Sequence, residues 1–210
     1  MATDLNPKCK KCRRAGEKLF LKGERCNTPK CGVIRKAYAP GMHGSKMGRA
    51  LSEYGKQLEM KQRIKRIYGV MERQFRKHFE EASRKQGVTG NLLMMRLEMR
   101  LDNVVFRLGL ADSRKAARQI VGHGSIVLNG KKASIPSMKV KIGDVLGINV
   151  SKKDKRYFQE RAKMMKRSKD IPSWIALDPS KIEGRILSEP DVESIGVNVD
   201  PQLVVEYYSR

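Results

Sequence analysis

All four cysteines of this chain fall in its first 31 residues, at Cys9, Cys12, Cys26 and Cys31, in the pattern C-x2-C-x13-C-x4-C. The segment around them, residues 1–50, is rich in Gly and Lys and has weak apolar periodicity. A stretch of that length and composition cannot build a large core alone, so it needs a staple or a partner. In a cytosolic chain, clustered cysteine pairs bind metal more often than they form disulfides. A short spacing lets two thiolates reach one ion, and two such pairs complete a tetrahedral sulfur site closed to substrate. One structural Zn2+ is the expected occupant. Four thiolates also hold an iron–sulfur cluster, and spacing alone does not separate the two. Lys8, Lys10, Lys11, Arg13 and Arg14 crowd the first pair. Cations there lower thiolate pKa values and can touch phosphate.

Charge is the second constraint. The 210 residues include 45 Lys and Arg against 22 Asp and Glu, a net charge of +23. Such an excess repels itself in a compact chain and points to a polyanionic partner that releases counterions on binding. No run of about 18 apolar residues reads as a membrane span, and the N-terminus has no apolar signal region. The expected location is therefore the cytosol, with no membrane partner and no small-molecule substrate. Residues 1–50 carry +10, 51–90 carry +5, 91–150 carry +6 and 151–210 only +2, while Asp170–Ser209 is net −6. The nucleic-acid-facing surface is placed in the first three blocks. The acidic tail is expected to pack on the protein itself or on a basic protein neighbour. Few Phe and Trp residues argue against a binder that stacks single-stranded bases on aromatic platforms.

The pattern predicts an α+β fold in three parts: residues 1–50, the cysteine-rich, metal-stapled basic segment; 51–90, a mostly helical lobe with 151–210 packing back on it; and 91–150, a small module of two helices on a short antiparallel sheet. Residues 51–82 show helical spacing through Leu51, Tyr54, Leu58, Ile64, Ile67, Met71, Phe75 and Phe79, with Gly69 separating two helices. Residues 91–109 read as one amphipathic helix ending near Gly109. Ser113 is the N-cap of a short helix over Arg114 to Val121. Ser125–Leu128 is a strand, and Asn129-Gly130 is a hairpin turn into Lys131 and Lys132. Val140, Ile142, Val145 and Ile148 finish a small sheet. Residues 152–168 form a charged helix, and Gln202–Tyr208 reads as strand.

Little here looks catalytic. P-loop and G-x-S-x-G patterns do not occur. His43, His78 and His123 are each isolated from an obvious acid partner. Glu98 and Asp102 are expected to pair with Arg100 or Arg107, or to cap helix ends. The chain is read as a binding protein, not an enzyme.

The stretch Arg100–Gly130, RLDNVVFRLGLADSRKAARQIVGHGSIVLNG, closely resembles the RNA-binding module named after the fourth protein of the small ribosomal subunit. That module also occurs in some RNA-modifying enzymes and synthetases. Further runs extend the likeness: Tyr54–Leu58, Glu59–Gln62, Arg66–Val70, Glu72–Phe75, Pro40–Gly44 and the terminal Leu203–Arg210. With them the chain resembles the bacterial-type family of that ribosomal protein over nearly its whole length. The cysteine spacing is similar to that of the family's metal-binding members. Residues 187–200 depart from it, since the family's Pro-Arg-Glu-Asp-like element is replaced by Leu187-Ser-Glu-Pro-Asp-Val-Glu-Ser194. The resemblance implies a primary binder of small-subunit rRNA that joins a multi-helix junction of the 5′ domain early in assembly. It also implies a position near the mRNA entry channel, beside other ribosomal proteins, with an influence on decoding accuracy.

The candidate RNA contacts follow from charge and helix faces. In the first block they are Lys10, Lys11, Arg13, Arg14, Lys30, Arg35, Lys36, His43, Lys46 and Arg49. In the helical lobe they are Tyr54, Lys56, Lys61, Gln62, Arg63, Lys65, Arg66, Tyr68, Arg73 and Arg76. In the module they are Arg100, Arg107, Ser113, Arg114, Lys115, Arg118, His123, Lys131 and Lys132. The expected mechanism is recognition of folded RNA by shape, because an A-form major groove is too deep and narrow for side chains to read. Two rivals are an RNA-modifying enzyme carrying the same module and a zinc-dependent DNA-binding regulator.

Overall fold

The computed structural model describes residues 4–46, 50–165, 171–178, 180–191, 195–196 and 199–210. Its backbone divides into two compact units, Met1–Leu93 with Val197–Arg210, and Met94–Gly196.

In the first unit, α1 (Lys8–Arg14) carries Cys9 and Cys12, a 3-10 turn (Gly23–Asn27) carries Cys26, and Cys31 directly precedes α2 (Gly32–Arg35). Helix α3 (Glu53–Tyr68) starts at Ser52, whose hydroxyl accepts the Gly55 N–H at 3.2 Å. It stops at Gly69, which takes the left-handed φ of 63° that an L side chain resists. Helix α4 (Glu72–Ser83) follows, so Gly69 does separate two helices. Ile64, Ile67, Phe75 and Phe79 are buried, in line with the apolar spacing, whereas Leu51, Tyr54 and Met71 of the same series are exposed.

The run read as a strand near the C-terminus is instead a helix, α9 (Pro201–Tyr208). Its Val and Tyr content favours strand, but strand preference mainly reports fit to a half-buried surface. Local chemistry decides otherwise. The Asp200 carboxylate accepts the Gln202 N–H at 2.9 Å, and Pro201 occupies the first turn, where its missing N–H costs nothing. Val204 is then fully buried, and Tyr208 stacks on Phe79 with centroids 4.6 Å apart. The Gln57 amide donates to Glu206 at 3.0 Å, tying α3 to α9.

The second unit takes up α5 (Thr89–Glu98) at Met94. The single helix expected over 91–109 breaks after Glu98, and α6 (Leu101–Arg107) is a separate element. Arg100 is extended, and the break is hydrogen-bonded throughout: Val140 donates to the Met99 carbonyl, Leu101 to that of Met138 and Asp102 to that of Pro136. The Asn103 amide donates to the Glu98 carbonyl at 2.9 Å. Met99, Leu101 and Asp102 each bond to a distant loop in place of a helix partner, which apolar periodicity does not reveal. Helix α7 (Arg114–Gly122) has Ser113 as its N-cap, as expected.

Strands β1 (Ile126–Leu128) and β2 (Lys131–Ala133) form the hairpin. Asn129 and Gly130 are both at positive φ, the geometry that makes this dipeptide a turn signal. β3 (Val145–Ile148) pairs with β1, placing Ile126 opposite Ile148. Two strands absent from the sequence reading widen the sheet: β4 (Ile175–Asp178) and β5 (Glu183–Ile186). The antiparallel order is β2-β1-β3-β5-β4. The core joins Leu101, Val104, Val105 and Leu108 of α6 and Ala117 and Val121 of α7 to Ile126, Leu146 and Ile148. Phe158 of α8 (Arg156–Met165), Trp174, Ile175 and Ile186 complete it. Burying each large apolar side chain contributes about 1.5–3 kcal/mol. Residues 151–196 thus belong to this unit, and only the segment after them joins the helical lobe that was expected to receive all of 151–210.

Glu72 gives the first unit an acid-sensitive contact. It accepts from Lys61 at 2.9 Å, Lys65 at 2.8 Å and the Tyr208 hydroxyl at 2.9 Å. Burial pushes its carboxyl up, but the hydrogen bonds from Lys65, Lys61 and Tyr208 outweigh this and hold it at about 2, below its ordinary 4.5. A carboxyl depressed in the folded state adds stability above its unfolded pKa and loses it as pH falls through the folded value. Urea midpoints followed by circular dichroism should therefore fall between pH 4.5 and about 2, and Glu72→Gln should make that fall shallower while lowering the midpoint at neutral pH. An identical acid profile in the variant would show that Glu72 does not carry the effect.

Candidate nucleic-acid interface

The cations of the second unit fall into two populations. Glu98, with a fully buried side chain, accepts Arg107 through both oxygens at 2.8 and 2.9 Å and the Asn103 amide at 2.7 Å. Arg114 donates to Asn103 Oδ1 at 2.7 Å and lies over the Phe106 ring, 4.6 Å from its centroid. Asp102 takes Arg100 at 3.2 Å and Arg118 at 2.6 and 2.8 Å. Arg107 also donates to the Ile195 carbonyl at 2.8 Å. The pairing of Glu98 and Asp102 with arginines matches the sequence reading. The placement of Arg100, Arg107, Arg114 and Arg118 does not: all four are buried or half-buried and brace α5, α6 and α7 rather than standing out from them. Ser113 is buried at its cap. Lys115 on α7, His123 after it, and Lys131 and Lys132 on the hairpin are exposed. Lys181 and Arg185, on the β4–β5 hairpin, are exposed cations that the acidic balance of the tail concealed.

The first unit divides similarly. Tyr68 and Lys61 are buried, Lys61 with its ammonium 4.3 Å from the Tyr207 ring centroid. Arg63 pairs with Glu17 at 2.8 Å and Arg13 donates to the carbonyls of Tyr38 and Ala39. Gln62, Lys65 and Arg66 are half-buried. Lys56 and Arg76 are exposed but paired along their helices with Glu53 and Glu80. Tyr54 is exposed beside Tyr207. Lys10, Arg14, Lys30, Arg35, Lys36, His43, Lys46 and Arg73 face solvent, and Lys11 is half-buried against Asp4. Arg49 lies outside the described residues.

All four cysteines line one pocket, with Lys8, Leu21, Lys22, Arg25, Gly32 and Val33 around them. Cys12, Cys26 and Cys31 are buried, all four are free thiols, and the Lys22 N–H points to Cys26 Sγ at 3.4 Å. Burial pushes the Cys12 thiol up, a backbone hydrogen bond at Leu19 opposes this, and the other three cysteines add to the rise. The donor set is the one tetrahedral zinc uses. Among the described residues, however, no three His, Cys, Asp or Glu side chains stand as a metal-ligand set. The four thiols of the expected staple thus share one pocket.

Residues 4–98 match the family described as Ribosomal protein S4/S9 N-terminal domain, and residues 99–146 match the S4 domain. The small ribosomal subunit protein uS4 of Syntrophomonas wolfei is 52% identical over 202 residues, 96% of each chain. Those of Heliobacterium modesticaldum and Thermus thermophilus are 50% and 47% identical, each over 100% of both chains. Domain matches and relatives together cover the chain end to end, and it belongs to the uS4 family of small-ribosomal-subunit proteins.

Proposed function

We propose that this chain is a structural constituent of the small ribosomal subunit in the cytoplasm and binds its rRNA through phosphate and sugar contacts. The observation that carries the reading is the sorting of cations in the S4 domain. Buried carboxylates hold the arginines inside, while Lys115, Lys131, Lys132 and His123 stay at the surface. The inner set fixes the shape, and the outer set is free to neutralise phosphates. Shape readout by a rigid module suits a folded RNA whose grooves hide its base edges. The family is one of ribosomal structural proteins rather than enzymes. In this reading the chain joins a multi-helix junction of the 5′ domain early in assembly. It then lies near the mRNA entry channel among neighbouring ribosomal proteins and bears on decoding accuracy.

Changing Lys115, Lys131 and Lys132 together to Ala should weaken binding to a small-subunit rRNA transcript. The salt dependence should become shallower by about 0.7–0.9 in log–log slope per lost phosphate contact. The thermal midpoint should hold, since all three are exposed. An unchanged slope would remove the S4 domain's surface lysines from the interface. Asp102→Ala should act in the opposite way, costing about 3–5 kcal/mol of stability by leaving Arg100 buried without its carboxylate. Denaturant titration would measure it, and a cost below about 1 kcal/mol would mean that Asp102 does not brace the helices.

The proposal includes one structural Zn2+ held by Cys9, Cys12, Cys26 and Cys31. Bound there, the metal would tie α1 to the residues before α2 and supply the staple that residues 4–46 lack. Protein purified without added metal should carry about one zinc per chain, and a chelator should lower its melting temperature. Iron with a visible charge-transfer band would replace zinc by a cluster, and failure to take up either metal would leave four structural thiols.

A further inference from the structure

Helix α7 ends in a turn at which two lysines from elsewhere in the second unit arrive. The Gly124 N–H bonds to the Val121 carbonyl at 2.8 Å and the Ser125 N–H to that of Ile120 at 3.2 Å, with Gly124 at a φ of 62°. Lys132 of β2 lies against this glycine: a Cβ there would overlap its Cε and stand 3.1 Å from its Nζ. Lys152 comes from beyond the stretch that matches the S4 domain, in the 3-10 turn Val150–Lys152. Its ammonium donates to the His123 carbonyl. Asn149 fixes that turn, since its N–H bonds to the Ser125 carbonyl at 2.9 Å and its side chain accepts the Ser151 N–H at 3.2 Å. Further on, Phe158 is buried and the Tyr157 hydroxyl donates to the Leu110 carbonyl at 3.1 Å, so the segment is anchored on both sides of Lys152. One peptide plane joins the His123 oxygen to Gly124 Cα, which puts the two ammoniums no more than about 10 Å apart.

We propose that Lys132 and Lys152 form one seat for the phosphate backbone of the bound RNA over the α7–β1 turn, so that a residue outside the S4 domain belongs to its RNA interface. The proposal rests on the rRNA-binding reading and deepens it. The C-terminal end of a helix carries about half a negative charge, and one ammonium answers it. Lys152 does so with one of its three donors, which leaves two for another acceptor. Lys132 then brings a second positive charge to the same turn, and no hydrogen bond or ion pair ties its side chain among the described residues. Glu183, the acid on the same row of the sheet, lies against Gly147, and β1 stands between that residue's strand and β2. An excess of fixed positive charge at a helix end is what an anion would settle. A lysine loses rotamer freedom when RNA fixes it, and stems already held against a turn lose less. An RNA strand offers phosphates in series, which two ammoniums at this spacing take together.

The test compares Lys132→Gln, Lys152→Gln and the double variant with Lys85→Gln, an exposed cation of the first unit. Glutamine keeps a donor for the His123 carbonyl and removes the charge, and thermal midpoints show that each variant folds. Binding of the full chain to a small-subunit rRNA transcript is measured over a range of salt. The seat predicts that each single variant flattens the log–log slope by about 0.7–0.9 and that the double variant flattens it by about twice that. A slope unchanged in Lys152→Gln overturns the proposal. Equal flattening in Lys85→Gln also overturns it, because the effect is then one of general charge. Gly124→Ala gives a second readout. Its Cβ displaces Lys132, so it should weaken binding about as much as Lys132→Gln and add nothing in that variant's background. Equal weakening in both backgrounds would trace to strain at the positive φ and remove Lys132 from the seat. Failure of the unaltered chain to bind the transcript would instead sink the rRNA-binding reading.

Discussion

Glu98 sits with its side chain fully buried at the C-terminal end of α5, where the helix dipole also disfavours negative charge. Desolvating a carboxylate costs several kcal/mol, so the surroundings must return that energy through close, well-aligned donors. They come from α6 and α7: Arg107 grips both oxygens, Asn103 donates to one, and Arg114 reaches in behind Asn103. Asp102, in the first turn of α6, repeats the arrangement with Arg100 and Arg118. The angle between the helices is therefore set by charge-assisted hydrogen bonds with definite directions, where apolar packing alone would tolerate sliding. Lysine could not substitute here, because a point charge on a flexible stem fixes no plane. The same economy explains why lysines occupy the outside of this unit: arginine forks are used where geometry must be held.

The fold was legible where local chemistry and global packing agree. Gly69, Ser113 and Asn129-Gly130 marked their boundaries correctly because each satisfies or reverses the backbone by itself. The reading failed where distant residues override a local pattern. The Met99 carbonyl and the Leu101 N–H bond with Val140 and Met138 instead of along the helix, which no periodicity along 91–109 announces. The Val and Tyr of 202–208 invite strand, but Asp200 and Pro201 start a helix whose apolar face finds α3 and α4. Strands β4 and β5 are four residues each, too short for alternation to stand out from an acidic tail.

The site was legible as a charge and not as a surface. A net charge of +23 names a polyanionic partner without saying which cations meet it. Residues 98–118 read as a basic stretch, yet its two buried acids pair with four of its arginines. Helical spacing places Arg114 and Arg118 on one face, and Lys115 lies off it, so burial of that face sorts Lys115 to solvent. Which face is buried depends on Glu98 and Asp102, and their partners lie up to 16 residues away in sequence.

Residues 4–46 present the converse problem, a segment with almost no apolar core. Its buried side chains are chiefly Cys12, Ala15, Leu19, Cys26 and Cys31, too few to offset the backbone entropy of ordering so many residues. Polar ties compensate in part: Arg13 gathers the carbonyls of Tyr38 and Ala39 while stacking on the Tyr38 ring, and Glu17 reaches Arg63. Each is exposed or partly so, and such contacts are individually weak. The repulsion among Lys11, Arg14, Lys65 and Arg66 works against them. On the proposed function, exposed cations of this segment would meet RNA phosphate and the four thiols on one pocket wall would supply the ligands for a zinc ion. On that reading its order is completed by its partners rather than by its own core.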